Sequence, residues 1–166
     1  VLGIYDFVLK LPPVPKEGTY EIRMGCSLNS LRGMCQIYFG KDPKNLLPVG
    51  LPFDMRMSTT GDNVGWFSDG NLDDATIREK DKNMRNQGYM KGPKIFCISN
   101  GDAATTARDY SGHVRLIVTT ETLSPNETYY MRFKSCLEDN ASQFFSDYFE
   151  FCPRSVYNGV EPEDIW

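Results

Sequence analysis

The sequence has few of the residues that catalytic and metal sites usually require. It contains one histidine, His113, and its five cysteines include no Cys-x-x-Cys pair. Zinc sites need clustered cysteine and histidine ligands, and a serine or cysteine nucleophile needs a neighbouring base. The Gly-x-Ser-x-Gly turn of many hydrolases is also missing. We therefore predict a protein that is not an enzyme and that needs no cofactor or metal.

An excess of basic residues and a long apolar run are also missing. Lysine and arginine number 18 against 22 acidic residues, which gives a net charge of −4. Nucleic acids and anionic membrane surfaces attract basic proteins, so neither is an expected partner. A membrane-spanning helix needs about 20 apolar residues in a row, and no stretch approaches that length. We expect no membrane span in this chain and place any targeting segment outside it.

The composition that remains is that of a globular protein. Hydrophobic residues make up 40% of the 166 residues, aromatic residues 13% and charged residues 24%. A chain of this length corresponds to about one domain and buries enough surface to form a core without disulfide bonds. We predict a single domain over residues 1–166.

Apolar and polar residues alternate along much of the chain, which is the pattern of strands with one buried face. The pattern covers residues 5–11, 20–24, 35–39, 49–57, 114–118, 129–137 and 145–151, with a brief apolar run at 95–98. One short surface helix is predicted at 73–86, with Asp73 or Asp74 as N-cap and Gly88 as its stop. Seven or eight strands without intervening helices predict an all-β fold, an antiparallel sandwich or jelly roll.

Finer features follow from the turns between these segments. The turn signal at 29–33 predicts that segments 20–24 and 35–39 form a hairpin. Pro52 predicts an edge or irregular strand, because proline cannot donate to a ladder. The polar stretch 100–112 is expected to be a mobile loop.

The five cysteines lie in or beside apolar segments, and they have two interpretations. Buried free thiols are favoured, because unpaired cysteine is among the most buried residue types. One or two disulfides are the alternative, and the sequence leaves open whether Cys26 pairs with Cys35.

Acidic residues in the polar loops suggest two further alternatives. Asp69, Asp73, Asp74, Glu138 and Asp139 could supply the carboxylate pair of a glycosidase, although no spacing singles out a pair. A calcium ion could be held by the loop residues Asp62, Asn63, Asp69, Asn71 and Asp73. Ordinary turn chemistry and solvation explain both sets more simply.

A group of aromatic, amide and guanidinium side chains is the best candidate for ligand binding. Sugars are commonly held by an aromatic face against their C–H groups, while amides and guanidinium groups bond the hydroxyls. Packing of the rings against the sandwich is the favoured interpretation of these aromatics, and ligand contact is the alternative. The candidate ligand-binding residues are Trp66, Arg85, Asn86, Tyr89 and Tyr110.

Several stretches resemble a known domain family over nearly the whole chain. They are residues 18–23 (GTYEIR), 84–93 (MRNQGYMKGP), 130–135 (YMRFKS), 147–157, which begins DYFEFCP, and 163–166 (EDIW). The resemblance is to the C-terminal domain that follows fasciclin-like domains in surface lipoproteins of Bacteroidota. The closing strand also resembles the last strand of galactose-binding-like carbohydrate modules. The fasciclin-like part and the lipid-bearing cysteine are not in this sequence.

The resemblance implies a role in nutrient capture at the cell surface. It suggests an outer-membrane lipoprotein, lipid-anchored outside this chain, beside a starch-utilisation-type transporter and its binding lipoproteins. We therefore expect a non-catalytic accessory domain that binds a glycan or another nutrient for an outer-membrane uptake system. The alternative is a structural interaction subunit that docks on the transporter or on a neighbouring lipoprotein.

Overall fold

Two antiparallel β-sheets make up most of the structure. A computed structural model of the chain describes residues 2–93, 96–99, 103–137 and 141–156. The strands are β1 (Asp6–Lys10), β2 (Gly18–Cys26), β3 (Met34–Gly40), β4 (Leu47–Pro48), β5 (Phe53–Asp54), β6 (Tyr89–Lys91), β7 (Phe96–Ser99), β8 (Ala103–Thr106), β9 (Val114–Leu123), β10 (Tyr130–Ser135) and β11 (Ser146–Pro153).

The order of the strands defines two main sheets. Sheet A runs β1-β10-β3-β4, and β5 also pairs with β3. Sheet B runs β11-β2-β9-β6, and β7 and β8 form a separate two-stranded ribbon. Helix α1 (Asp74–Asn86) lies between β5 and β6 in the chain. The prediction of an all-β sandwich with one short helix is confirmed, while the finer assignment as a jelly roll stays a prediction.

The core lies between the inner faces of the two sheets. Along β2, the alternate residues Ile22, Met24 and Cys26 are fully buried. Phe133 of β10 faces them from sheet A, and its ring centroid lies 5.6 Å from that of Phe149 in β11. The period-two pattern therefore marks the inner face of each strand correctly, because only one face of each sheet meets the other sheet.

The predicted hairpin between segments 20–24 and 35–39 is wrong. Strand β2 pairs with β9 and β11 in sheet B, whereas β3 pairs with β10, β4 and β5 in sheet A. The turn between them, where Arg32 N–H donates to Asn29 O at 3.0 Å, carries the chain from one sheet to the other. A turn signal shows that the chain reverses, but it does not show which strand becomes the neighbour.

Two segments differ from expectation. Residues 49–57, predicted as one strand, form only the short strand β5 and turns, so the predicted extent is wrong, although the irregularity expected from Pro52 is present. The loop expected at 100–112 contains β8 and a short 3-10 helix (Ala107–Asp109), so that expectation is wrong for 103–109, and residues 100–102 lie outside the described residues.

The predicted helix is confirmed together with its ends. Asp73 is the N-cap, and its Oδ1 accepts from the N–H of Thr76 at 2.9 Å. Gly88, just beyond the C-cap, has a φ of 86°, which favours glycine. Met84 is the one buried residue of the helix. No helix within the described ranges is long and apolar enough to cross a membrane.

Cys26, Cys35 and Cys136 are free thiols. Cys26 and Cys35 are fully buried in different sheets, Cys136 is exposed and Cys152 is partly exposed. Burial raises the pKa of Cys26 to about 12 and that of Cys35 to about 11, so both are protonated at neutral pH. The favoured interpretation of buried free thiols is confirmed for Cys26 and Cys35 and is wrong about burial for Cys136, while the side chain of Cys97 lies outside the description.

One glycine of β2 is needed for packing. The ring of Tyr148 in β11 lies over Gly25, and a Cβ added there would fall 2.4 Å from Cε1 of that ring. Burial of the ring raises the pKa of the Tyr148 hydroxyl. Gly25 is therefore the residue that lets a large aromatic side chain cover the outer face of sheet B.

We predict that Gly25→Ala destabilises the protein by about 1–3 kcal/mol, because the Tyr148 ring must move to admit a methyl group. Gly18→Ala in the same strand is the matched control, because an added Cβ there has 4.0 Å of clearance from the Tyr20 ring. Urea unfolding measures both variants. Equal midpoints for Gly25→Ala and Gly18→Ala would contradict the packing described.

Candidate functional site

Buried charged residues form a cluster at the end of β6. The Nζ atom of Lys91, whose side chain is fully buried, lies 2.5 Å from Oδ1 of Asp69. The guanidinium group of Arg108 donates to Asp69 Oδ2 at 2.5 Å and to Asp81 Oδ2 at 2.8 Å. We call Asp69, Asp81, Lys91 and Arg108 the Asp69 cluster.

Four separate segments bring these residues together. Asp69 lies in the loop before α1, Asp81 on α1, Lys91 at the end of β6 and Arg108 in the short 3-10 helix. The loop is anchored by the fully buried Val64, and the N–H of Trp66 donates to Thr59 O at 2.8 Å. Gly65 has a φ of 79°, a conformation that glycine adopts without strain.

Two aromatic rings lie beside the cluster. The ammonium group of Lys91 is 3.8 Å from the centroid of the Phe67 ring and 5.0 Å from that of Trp66. Lys80 approaches Phe67 as well, at 5.5 Å. Both rings are half-buried, and Nε1 of Trp66 is buried without a hydrogen-bond partner among the described residues. Cation–π contacts of this kind contribute about 0.5–2 kcal/mol each.

The cations of the cluster are buried while its carboxylates remain within reach of solvent. The side chains of Lys91 and Arg108 are 0% and 5% exposed, whereas those of Asp69 and Asp81 are 21% and 18% exposed. Each carboxylate oxygen can accept more than one hydrogen bond. The cluster therefore presents acceptors in fixed positions next to aromatic surface.

Burial and neighbouring charges shift the pKa values of Asp69 and Lys91 in the Asp69 cluster. Burial alone would raise the pKa of Asp69, but the hydrogen bonds and positive charges of Lys91 and Arg108 outweigh it and lower that pKa. For Lys91 burial dominates, so the pKa of its ammonium group is lowered. Asp69 is therefore ionised at neutral pH.

A second buried charge cluster covers the outer face of sheet B. The Nε atom of Arg23 donates to Glu21 Oε1 at 2.6 Å, and Arg115 donates from Nη1 to Glu150 at 3.3 Å and from Nε to the carbonyl oxygen of Lys91 at 2.7 Å. Arg85 of α1 donates to Glu21 Oε2. Arg23 Nη1 also lies 3.5 Å from Glu150 Oε2. This Glu21 cluster (Glu21, Arg23, Arg85, Arg115 and Glu150) links the helix to all four strands of sheet B.

The five predicted ligand-binding residues have different environments. Tyr89 is 4% exposed, its ring packs toward Phe53, and burial raises the pKa of its hydroxyl, so the expectation of an exposed ring is wrong. Lys91 has the same parity in β6 and also turns inward. Arg85 donates to Glu21 and, at 3.1 Å, to Met90 Sδ.

The other three predicted residues retain some access to solvent. Trp66 is half-buried against the core and beside Lys91. Asn86 is exposed at the end of α1, and Tyr110, two residues after Arg108, is 52% exposed. Trp66 thus contacts the Asp69 cluster directly, and Tyr110 follows one of its members in the chain.

Two of the proposed calcium ligands and glycosidase carboxylates, Asp69 and Asp73, are engaged elsewhere. Asp69 is bonded by Lys91 and Arg108, and Asp73 caps α1. No group of three or more histidine, cysteine, aspartate or glutamate side chains that could hold a metal ion lies in the part of the chain that the structure describes. Glu138 and Asp139, named as possible glycosidase residues, lie outside the described residues.

The histidine occupies a strand end, as the sequence suggests. Nε2 of His113 lies 3.0 Å from both carboxylate oxygens of Asp147. The ring is 5.7 Å from that of Tyr148, and Nδ1 is buried without a partner among the described residues.

Sequence reasoning missed most of the charged residues of both clusters. Glu21 and Arg23 alternate with apolar residues, which is the pattern of a solvent-facing side, yet they are 6% and 1% exposed. The one available signal was that β2 is a long strand. It lies between two other strands of its sheet, where both of its faces can be covered. Comparisons with protein-family models, curated proteins and solved structures found no match for this chain.

Asp69→Asn is predicted to destabilise the protein by about 3–5 kcal/mol at pH 7, because Lys91 would keep a buried charge without a carboxylate partner. Chemical denaturation measures the difference. Asp62→Asn, in the preceding loop, is the control and should change stability by less than about 0.5 kcal/mol.

The same pair of variants gives a pH test. Because the pKa of Asp69 is lower in the folded state, its contribution is complete above about pH 5 and is lost as the pH falls through the folded-state pKa. The stability gap between the wild type and Asp69→Asn should therefore close in acid. A gap that is constant from pH 7 to about pH 2 would rule out the ionised pairing.

Proposed function

We propose that this chain is a non-catalytic module that binds a glycan at the Asp69 cluster. The observation that supports it is the combination of the partly exposed Asp69 and Asp81 carboxylates with the rings of Trp66 and Phe67. Carboxylates accept hydrogen bonds from sugar hydroxyls, and ring faces cover apolar C–H groups. Buried Lys91 and Arg108 fix the acceptors in advance, which lowers the entropy lost on binding.

The resemblance to surface-lipoprotein domains suggests where such a module would act. The module would collect glycans, or another nutrient, for an outer-membrane transporter and its binding lipoproteins. It would be held at the cell surface by a lipid anchor outside this chain. The exposed Tyr110 would supply a further ring at the edge of the binding area.

A second candidate function is docking on a transporter or neighbouring lipoprotein. Four exposed apolar side chains favour it: Leu2, Ile4, Leu31 and Phe145 are 51–65% exposed. The Leu2 and Arg32 backbones both bridge to Gln143, and the Arg32 guanidinium lies 4.9 Å from the Phe145 ring centroid. These contacts, with the N–H of Gln143 donating to Leu31 O, bring the segments that carry Leu2, Leu31 and Phe145 together around Gln143.

Isothermal titration against a panel of oligosaccharides, with Phe67→Ala and Phe145→Ala as matched aromatic-to-alanine variants, separates the two functions. Glycan binding at the Asp69 cluster predicts that Phe67→Ala weakens binding by about three- to tenfold, the value of one stacking contact, while Phe145→Ala binds normally. Absence of binding at millimolar oligosaccharide would refute the glycan proposal.

Docking predicts the opposite sensitivity. Co-purification with an outer-membrane transporter or lipoprotein should survive Phe67→Ala and be lost in Phe145→Ala. If both variants behave like the wild type in both assays, neither surface carries the function.

A further inference from the structure

Strand β1 is an open edge of sheet A. Among the described strands it pairs only with β10, from Asp6 opposite Lys134 to Lys10 opposite Tyr130. Its residues are among the more exposed of the sheet, with Val8 at 41% and Leu9 at 37%. An exposed strand edge offers unpaired N–H and C=O groups to another strand.

The direction of the free backbone groups follows from the pairing with β10. The N–H of Ser135 donates to Tyr5 O, and the N–H of Leu11 donates to Tyr129 O, both at 2.9 Å. Hydrogen-bonding residues alternate along an antiparallel strand, so the odd-numbered residues of β1 face β10. The N–H and C=O groups of Asp6, Val8 and Lys10 therefore point to the open edge.

The sequence of β1, Asp-Phe-Val-Leu-Lys, is complementary to itself in one antiparallel register. If Val8 lies opposite Val8 of a second copy, Asp6 lies opposite Lys10, and Phe7 lies opposite Leu9. All three outward-facing residues then form hydrogen-bonded pairs, six bonds in total for the two strands. Opposite charges and apolar side chains meet at every position.

Other registers lose this complementarity. A shift by two residues places Val8 opposite Asp6 or Lys10 and leaves charged groups without partners. In a register shifted by one residue, the N–H and C=O groups that point to the open edge in one copy would lie opposite groups that point away from it in the other. Pro12, which has no N–H, ends the strand and limits the ladder to this segment.

The Asp6 carboxylate can accept the second copy's lysine without giving up its present partner. Arg132 of β10 donates to Asp6 Oδ1 at 2.6 Å, and the Asp6 side chain is still 41% exposed. A carboxylate has about four acceptor positions, and this bidentate contact uses two. Arg132, Asp6 and the lysine of the other copy would form a row of alternating charges on each side of the two-fold axis.

From this self-complementarity we infer that two copies of the chain associate through β1, in antiparallel register centred on Val8, and join their A sheets into one continuous sheet. The contact involves five residues from each copy, so it belongs to the small and readily reversible class of interfaces. Closure by a two-fold axis uses both open edges and stops growth at the dimer.

Sedimentation equilibrium over about 10 µM to 1 mM tests the inference. The wild type should pass from the monomer mass of 18.9 kDa toward twice that value. Lys10→Glu places like charges together at both ends of the contact, as does Asp6→Lys, and each should weaken association at least about tenfold. Lys44→Glu, a charge reversal in an exposed turn, is the control and should associate like the wild type.

Mixing the two variants supplies the decisive result. One Lys10→Glu chain and one Asp6→Lys chain restore opposite charges at both ends, so the mixture should dimerise although neither variant does so alone. This rescue also shows that both variants are folded. A wild type that stays monomeric at 1 mM, variants that dimerise normally, mixtures that fail to recover, or masses beyond the dimer would each overturn the inference.

Discussion

The ion pair between Glu21 of β2 and Arg85 of α1 holds a helix that has little else to attach it. Met84 is the one buried side chain of α1, and a single apolar anchor buries too little surface to fix a helix of 13 residues. One turn earlier, Asp81 binds Arg108 from the same face of the helix. The position of α1, and with it that of Asp81 in the Asp69 cluster, therefore depends on charge pairing.

The charged residues of β2 need partners because sheet B is covered on both faces. Glu21 and Arg23 lie on the side of β2 away from the hydrophobic core, yet both are buried. A buried charge without a partner costs several kcal/mol, while a buried pair contributes little net stability over apolar residues of similar size. The Glu21 cluster therefore fixes one arrangement of helix and strands more than it adds stability.

Charge pairing also fixes the side chains of the candidate binding surface. Lys91 and Arg108 are sealed from solvent and hold Asp69 and Asp81 in place, while the carboxylates and the Phe67 ring keep partial access to solvent. A ligand would meet acceptors that are already oriented, so little side-chain entropy would be lost on binding.

The sequence predicts the sandwich well because most strands have one apolar face. Segments such as 20–24, 114–118 and 129–137 alternate clearly, and the caps of α1 are local signals. The partner of each strand was not predictable in the same way, since the turn at 29–33 leads into a different sheet. Pairing depends on contacts far apart in the chain.

The candidate site was predicted only in part for the same reason. Polar neighbours made Tyr89 look exposed, but the parity of β6 turns its ring into the core. Lys91 binds a carboxylate 22 positions away, and Arg108 binds two carboxylates, 27 and 39 positions away. Trp66 was predicted because an aromatic residue in a polar loop is a local signal, and its ring lies beside Lys91 of the cluster.

A double-mutant cycle on Glu21 and Arg85 is the most direct measurement of the central claim, that charge pairing holds α1 on the sheet. The free energy of unfolding is measured for Glu21→Gln, Arg85→Gln and the double variant. We expect a coupling energy of about 1–3 kcal/mol, because either single substitution already removes the Glu21–Arg85 ion pair and the double variant cannot lose it a second time. Effects that add to within about 0.5 kcal/mol would show that the helix is held by something else.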